Sequence, residues 1–428
     1  MKELNYNENK ILANKADYGS CYCGGGLRAC VLTYGTICEL DNLKIMEKVK
    51  YISGVSGATW FITGYTYYNS KIKFDKYIEP ENCTLTNLKY LDDDTFGKTL
   101  DDVNLATEMI ESFVDFTDRK INRWNTVVYE SFFEKYGEID EKYNWGILPC
   151  PIINSTISYD DIDERLFTIE FTPLYSSIPI CYKKNNIEYG GYNIDVEKTC
   201  SNYNLVPYIQ SGVSSAFFEA GKELITKNKY KGTNYKLFNP NSNQINVADL
   251  VDGGLFDNLG IVGLLRRKVS NIHMNIYSNV EFTNNKFMKD TNYFTSLFKG
   301  NPESEKYGIF RYGLWDEVYT QLMYKYNNGM PLTVMITTEI EPNEFFQING
   351  YGPITFLFHI ASKNQDWFNK LPIDTKKYID CNFSSLPNIK TIKYKFNSIE
   401  INLMYNLIRY DIKNSSEYKE FYSELIKK

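Results

Sequence analysis

The sequence predicts an α/β fold on three observations. Glycine-bearing segments join strand-like or loop-like runs to helix-like ones, apolar residues switch between alternating and helical spacing, and no low-complexity linker divides the chain into independent domains. In chain order, the first segment is Cys21-Tyr22-Cys23-Gly24-Gly25-Gly26-Leu27-Arg28-Ala29, and the apolar period from Leu27 to Leu40 predicts a helix after it. The second places an alternating strand, Val49 to Ser53, before Gly54-Val55-Ser56-Gly57-Ala58 and a helix from Thr59 to Tyr68. The third runs from a strand at Val247 to Val251 through Asp252-Gly253-Gly254 into a helix from Leu259 to Arg267 and a strand from Ile272 to Tyr277.

Ser56 and Asp252 stand 196 positions apart, too far for a simple connection. Met109, Phe113, Phe116, Val127 and Phe132 stand at helical spacing within Asn87 to Gly137, which predicts a helical cap inserted at about 87–137 into a single domain spanning 1–428. Ser155 to Ile180 returns to strand-like residues. Toward the C-terminus, a strand is predicted at Leu332 to Thr338 and an amphipathic helix at about Ser398 to Ile412.

Composition narrows the chemistry. The 428 residues include 47 Lys and Arg against 53 Asp and Glu, a net charge of −6, and only 2 His. An acidic balance lacks the electrostatic footprint of a nucleic-acid binder, so no nucleic-acid partner is expected. Met1 to Lys10 is polar, and no apolar run approaches the roughly 18 residues that span a bilayer, which predicts a cytoplasmic protein. The nine cysteines read as reduced, buried thiols; Cys21, Cys23, Cys30 and Cys38 lack paired metal-knuckle spacing, so no metal or other cofactor is expected.

A serine on a sharp strand-to-helix turn needs small neighbours, because its backbone is held in a sparsely populated conformation. Gly54, Gly57 and Ala58 supply them around Ser56. Acyl transfer through serine also needs donors for an oxyanion, which the main chain of Gly24, Gly25 and Gly26 offers at a helix start. Arg28 follows as a fixed positive fork for a phosphate or for the loop itself. The base is open between a carboxylate and an imidazole. Asp252 is the candidate carboxylate, with Asp249 and Asp257 as flanking alternatives; Ser56, Asp252 and His359 stand in hydrolase-triad order, while His273 and His359 both read more simply as buried side chains. Two competitors remain. Gly212-Val213-Ser214-Ser215-Ala216 echoes the Ser56 turn, and Gly24-x-Gly26-x-x-Ala29 with Asp41 or Glu47 satisfies a dinucleotide fingerprint.

With these three motifs in this order, the sequence resembles the patatin-like and cytosolic phospholipase A2 superfamily. Cys23-Gly24-Gly25-Gly26-Leu27-Arg28-Ala29 is similar to the Gly-Gly-Gly-x-Arg-Ala signature of the cytosolic branch, Gly54-Val55-Ser56-Gly57-Ala58-Thr59-Trp60 to its serine block, and Asp252-Gly253-Gly254 to the patatin aspartate motif. Glu170-Phe171-Thr172-Pro173, Ser215-Ala216-Phe217 and the C-terminal helix are weaker echoes. The resemblance implies a three-layer α/β/α fold, a Ser56–Asp252 dyad without histidine, an oxyanion hole at Gly25 and Gly26, and Arg28 near substrate phosphate. It implies a lipid acyl hydrolase of phospholipase A2 or lysophospholipase type, acting on a phospholipid membrane surface. Neutral-lipid lipase and transacylase activities use the same residues. The 23 residues ahead of the glycine loop are too few for the calcium-dependent C2 domain that members of that branch often carry.

Overall fold

The computed structural model describes residues 4, 6–105, 121–140, 142–159, 162, 165–185, 187–201, 204–216, 233–283, 286–287 and 294–426. Strand β1, Ala16–Tyr22, leads through the glycine loop into helix α1, Gly26–Asn42. Strand β2, Val49–Val55, then leads through the Ser56 turn into α2, Ala58–Tyr67, and α3 covers Ile121–Phe132. A run of strands follows: β3, Cys150–Tyr159; β4, Phe167–Phe171; β5, Tyr175–Ile178; β6, Tyr182–Lys184; β7, Ile187–Tyr189; and β8, Tyr192–Asp195. Helix α4, Pro207–Ser214, precedes β9, Thr233–Asn239, and β10, Gln244–Val251. After the Asp252 turn come α5, Val262–Arg266, and β11, Asn271–Ile276; β12, Leu332–Ile340, β13, Tyr351–Ile360, α6, Ser398–Asn414, and α7, Ser416–Phe421, complete the elements that bear on the site.

Among the described residues one sheet has the order β12-β13-β11-β1-β2-β3-β4-β5-β8, with β10 also paired to β3 and β9 to β10. Its centre, β13 through β3, is parallel. Parallel strands are covered on both faces and therefore carry continuous apolar runs, as Tyr51 to Val55 does, buried throughout. Side chains alternate across the sheet, so Gly19 of β1 faces Leu264 of α5 while Ser20 faces His273, whose ring meets Tyr418 and Tyr422 at the C-terminus. Helices thus pack on both faces, giving the α/β/α layering.

Helix α1 is buried from Leu27 to Leu40 because α6 lies along it. The two approach at Gly35, where a Cβ would stand 2.4 Å from Ile408 Cγ2 and 2.9 Å from the Tyr405 carbonyl oxygen. Arg409 joins Glu39 across this contact at 2.7 Å. The start of α6 is fixed by a capping box: Asn397 Oδ1 accepts from the Glu400 amide, and Glu400 Oε2 accepts from the Asn397 amide.

Of the proposed cap, residues 106–120, including Met109, Phe113 and Phe116, lie outside the described residues. Val127 and Phe132 of α3 are buried, and Phe132 stacks on Trp60 of α2 at 4.7 Å. None of the nine cysteines is in a disulfide; seven are buried as expected, whereas Cys181 is half-buried and Cys381 exposed, and among the described residues no group of His, Cys, Asp or Glu is arranged to hold a metal ion.

A charge network in which Glu8, Glu170 and Arg267 are wholly buried ties the antiparallel side of the sheet to the end of α5. Glu170 accepts from Arg266 at 2.8 Å and from Arg267 at 2.5 Å, while Arg267 Nε also reaches Glu8 at 2.8 Å. Removing one member of such a network leaves the opposite charges desolvated without partners. Glu170→Ala is therefore expected to lower stability to urea by about 3–5 kcal/mol; an unchanged unfolding midpoint would contradict this role.

Candidate active site

Strand β2 ends at Val55, and Ser56 takes φ 53°, a left-handed conformation that costs a side-chain-bearing residue energy unless its surroundings enforce it. The glycine after it has a packing reason. A Cβ on Gly57 would lie 2.0 Å from the carbonyl oxygen of Gly26, so the serine turn and the glycine loop touch main chain to main chain. Gly24 is equally constrained, because a Cβ there would stand 3.0 Å from that of Ser56.

Gly24 gives its amide to the Asn258 carbonyl at 2.9 Å, Gly25 at φ 145° and Gly26 at φ 60° adopt conformations suited to glycine, and α1 starts at Gly26. The amides of Gly25 and Gly26 precede the first intrahelical acceptors, where the helix carries partial positive charge. Arg28, one turn in and 2% exposed, donates to the main-chain carbonyls of Tyr277, at 2.7 Å, and of Ile389. Its Nη2 stands 2.4 Å from where a Cβ of Gly25 would be, so the guanidinium packs directly against the loop and needs glycine there.

Strand β3 brings the carboxylate to the serine. Its first half pairs in parallel with β2, ending at Val55 opposite Asn154; its second half pairs antiparallel with β10, ending at Val251 opposite Thr156. The two strands therefore point at each other along one side of β3 and stop two positions apart. Ser155, between those positions, donates to the Val251 carbonyl at 2.8 Å. Ser56 Oγ donates to Asp252 Oδ2 at 2.9 Å, and the Gly254 amide donates to Asp252 Oδ1 at 2.7 Å. Burial of Asp252 raises its pKa to about 6, against the opposing effect of its hydrogen bonds from the Gly254 amide and Ser56.

The alternatives to Asp252 are engaged elsewhere. Asp257, its pKa also raised to about 6 by burial, accepts from the Leu259 and Val262 amides, and Asp249 sits within β10 opposite Ser158. Both histidines belong to a buried polar cluster under the C-terminal helices. Tyr418 Oη lies 2.6 Å from His273 Nε2 and 2.7 Å from His359 Nδ1, with Tyr422 on His273 and Asp411 on His359. The Ser56, Asp252, His359 order therefore does not form a triad: the His359 ring nitrogens face Tyr418 and Asp411. Asp41 accepts from Tyr65 at 2.8 Å, and the glycine loop is packed on the serine turn.

Ser214, read from the sequence as a competing nucleophile, has a different setting. Its hydroxyl accepts the Ser56 amide hydrogen at 3.0 Å and donates to the Asn154 carbonyl. The echo of Gly54-Val55-Ser56 in Gly212-Val213-Ser214 marked the residue without indicating that it touches the original.

The fold is a cytosolic phospholipase A2-like, patatin-type α/β/α architecture. The structure of human GIVD cytosolic phospholipase A2 matches all of this chain and 68% of its own length, with a TM-score of 0.57 and 13% identity. The same human protein with methyl γ-linolenyl fluorophosphonate and terbium chloride matches with a TM-score of 0.49, 14% identity and coverage of 100% of this chain and 65% of that one. By sequence, the chain matches no family model and no curated protein. At 13% identity the likeness is one of fold, and the chemistry rests on the residues themselves.

The two carbonyl contacts of Arg28 lead to a test. A lysine keeps the charge but loses the planar fork that bridges two acceptors. Arg28→Lys is expected to lose about 1–3 kcal/mol of stability in denaturant titration, together with most of any Ser56-dependent activity. Full retention of both would contradict loop support by the guanidinium.

Proposed function

We propose that this protein is a lipid acyl hydrolase that cleaves glycerophospholipid acyl esters through Ser56 and Asp252. The observation that carries the reading is the 2.9 Å hydrogen bond from the strained Ser56 to a buried carboxylate whose pKa is raised to about 6. A carboxylate so tuned is ionised near neutral pH yet basic enough to receive a proton.

In the reaction, Ser56 Oγ forms a bond to the ester carbonyl carbon as its proton passes to Asp252 Oδ2. The carbonyl π electrons move to oxygen, and the resulting oxyanion takes hydrogen bonds from the Gly25 and Gly26 amides. Collapse breaks the bond to the alcohol oxygen, which leaves with the proton from Asp252 as lysophospholipid. Water then gives a proton to Asp252 and attacks the acyl-enzyme; the second collapse releases fatty acid and returns the proton to Ser56. Arg28 supports the loop that holds the oxyanion. No metal or cofactor enters these steps.

The substrate side is a phospholipid membrane surface, approached from the cytoplasm. Among the described residues no helix is long and apolar enough to cross a membrane, and the net charge of −6 makes apolar contact the main attraction to lipid.

Release of labelled fatty acid from phospholipid vesicles tests the reading. Ser56→Ala and Asp252→Asn are each expected to lower the rate about a thousandfold or more. The wild-type rate should rise with pH through about 6, as Asp252 ionises. Full activity in Ser56→Ala would sink the proposal.

Stability should move the other way. Because burial raises the Asp252 pKa, the folded protein binds its proton more tightly than the unfolded chain does. That contribution is fully present in acid, below the unfolded pKa, and is lost as pH rises to and beyond about 6. Asp252→Asn, which carries no charge to desolvate, should therefore gain on the order of 2 kcal/mol over wild type at pH 8 and little at pH 4. An equal difference at both pH values would contradict a desolvated carboxylate.

A further inference from the structure

Helix α4 ends where the two turns meet, and its last residue touches both. The Ser214 hydroxyl accepts the amide hydrogen of Ser56 at 3.0 Å and donates to the carbonyl of Asn154, the residue that pairs with the end of β2. The Ser214 carbonyl accepts the amide hydrogen of Gly253 at 3.0 Å, next to Asp252. The side chain has no exposed surface.

This pattern differs from ordinary helix-end bonding. A serine in the last turn commonly returns its hydroxyl to carbonyls of its own helix, as neighbouring Ser215 does to Ser211 at 2.9 Å and Gly212 at 3.1 Å. Ser214 directs its hydroxyl to two other segments. The same helix also meets α2 just beyond the nucleophile turn, through Ser211 and Thr59 at 3.0 Å and through Ser215 and Trp60 Nε1 at 2.9 Å. Among the described residues the Ser214 hydroxyl bonds to main-chain groups, the Ser56 amide and the Asn154 carbonyl, so its setting is that of a brace.

We infer that Ser214 is a positioning residue for the Ser56–Asp252 pair, holding the left-handed serine turn by its hydroxyl and the aspartate turn by its carbonyl. The inference rests on the hydrolase reading above. A residue at positive φ persists only where its surroundings over-determine it, and the hydroxyl supplies an acceptor for an amide that β2 pairing no longer satisfies. With that bond gone, Ser56 Oγ spends less time in line with Asp252 Oδ2, which slows acylation without altering how substrate docks.

The test combines steady-state hydrolysis of a soluble short-chain ester with hydrogen exchange at the Ser56 amide, in wild type, Ser214→Ala and Ser214→Thr. For folded Ser214→Ala, kcat should fall about tenfold to a hundredfold with KM nearly unchanged, and the Ser56 amide should exchange at least about tenfold faster. Ser214→Thr, which restores a hydroxyl, should recover both. Wild-type kcat and wild-type exchange in Ser214→Ala would overturn the inference, as would a rise in KM at constant kcat. Ser214→Cys, with a weaker acceptor in the same place, serves the same comparison if the alanine variant does not fold. A wild-type protein that hydrolyses no ester would defeat the hydrolase reading, and the exchange rates would then decide the brace by themselves.

Discussion

The structure depends on one strand serving two partners that arrive from opposite directions. Strand β3 pairs in parallel with β2 and then antiparallel with β10, so the ends of those strands face each other across Ser155. Neither Ser56 nor Asp252 reaches the other by a long or flexible side chain. Each occupies the first position after its strand, and the spacing of hydrogen bonds on β3 sets their separation. A pair of turns anchored to the same ladder stays aligned without a loop having to close over it, which is the rigidity that a preorganised site requires. The Gly26 contact with Gly57 and the Ser214 contact with both turns add a second layer of constraint on the same few atoms.

Burial then sets the chemistry. Among the described residues the Ser56 hydroxyl and the Gly254 amide donate to the Asp252 carboxylate, and burial outweighs these two bonds and raises its pKa to about 6. Glu170 shows the opposite use of the same interior, with two arginines satisfying its charge and holding it below the ordinary carboxylate range despite burial. Both imidazoles are engaged with other side chains. His273 is held neutral by burial beside His359, and both rings link β11 and β13 to the C-terminal Tyr418 and Tyr422, where they bind the helical layer to the sheet.

What was legible in the sequence follows from backbone demands. Gly25, Gly26 and Ser56 need unusual φ values, and Gly253 must approach the Asn154 carbonyl, where a Cβ would stand at 2.3 Å; such requirements leave glycine signatures that a single chain displays. The strands and helices around them were legible from period alone, and α1, β2, α2 and α6 begin and end within two residues of their expected limits. Long-range partners left no such trace. Arg28 meets Tyr277 and Ile389, 249 and 361 positions away, so its engagement with carbonyls could not be separated from a phosphate role. Nor could period show that β10 pairs with the far half of β3, or that the second Gly-Val-Ser segment lies against the first, because sheet neighbours are chosen by tertiary packing.

Ser56, Asp252 and the glycine loop make up the proposed acylation site. Its most direct measurement is an experimental structure of the protein after reaction with an alkyl fluorophosphonate, which bonds covalently to a nucleophilic serine. The expected adduct has phosphorus on Ser56 Oγ and a phosphoryl oxygen about 3 Å from the amides of Gly25 and Gly26. Phosphorus on another residue, Ser214 included, or a phosphoryl oxygen turned away from the glycine loop, would contradict it.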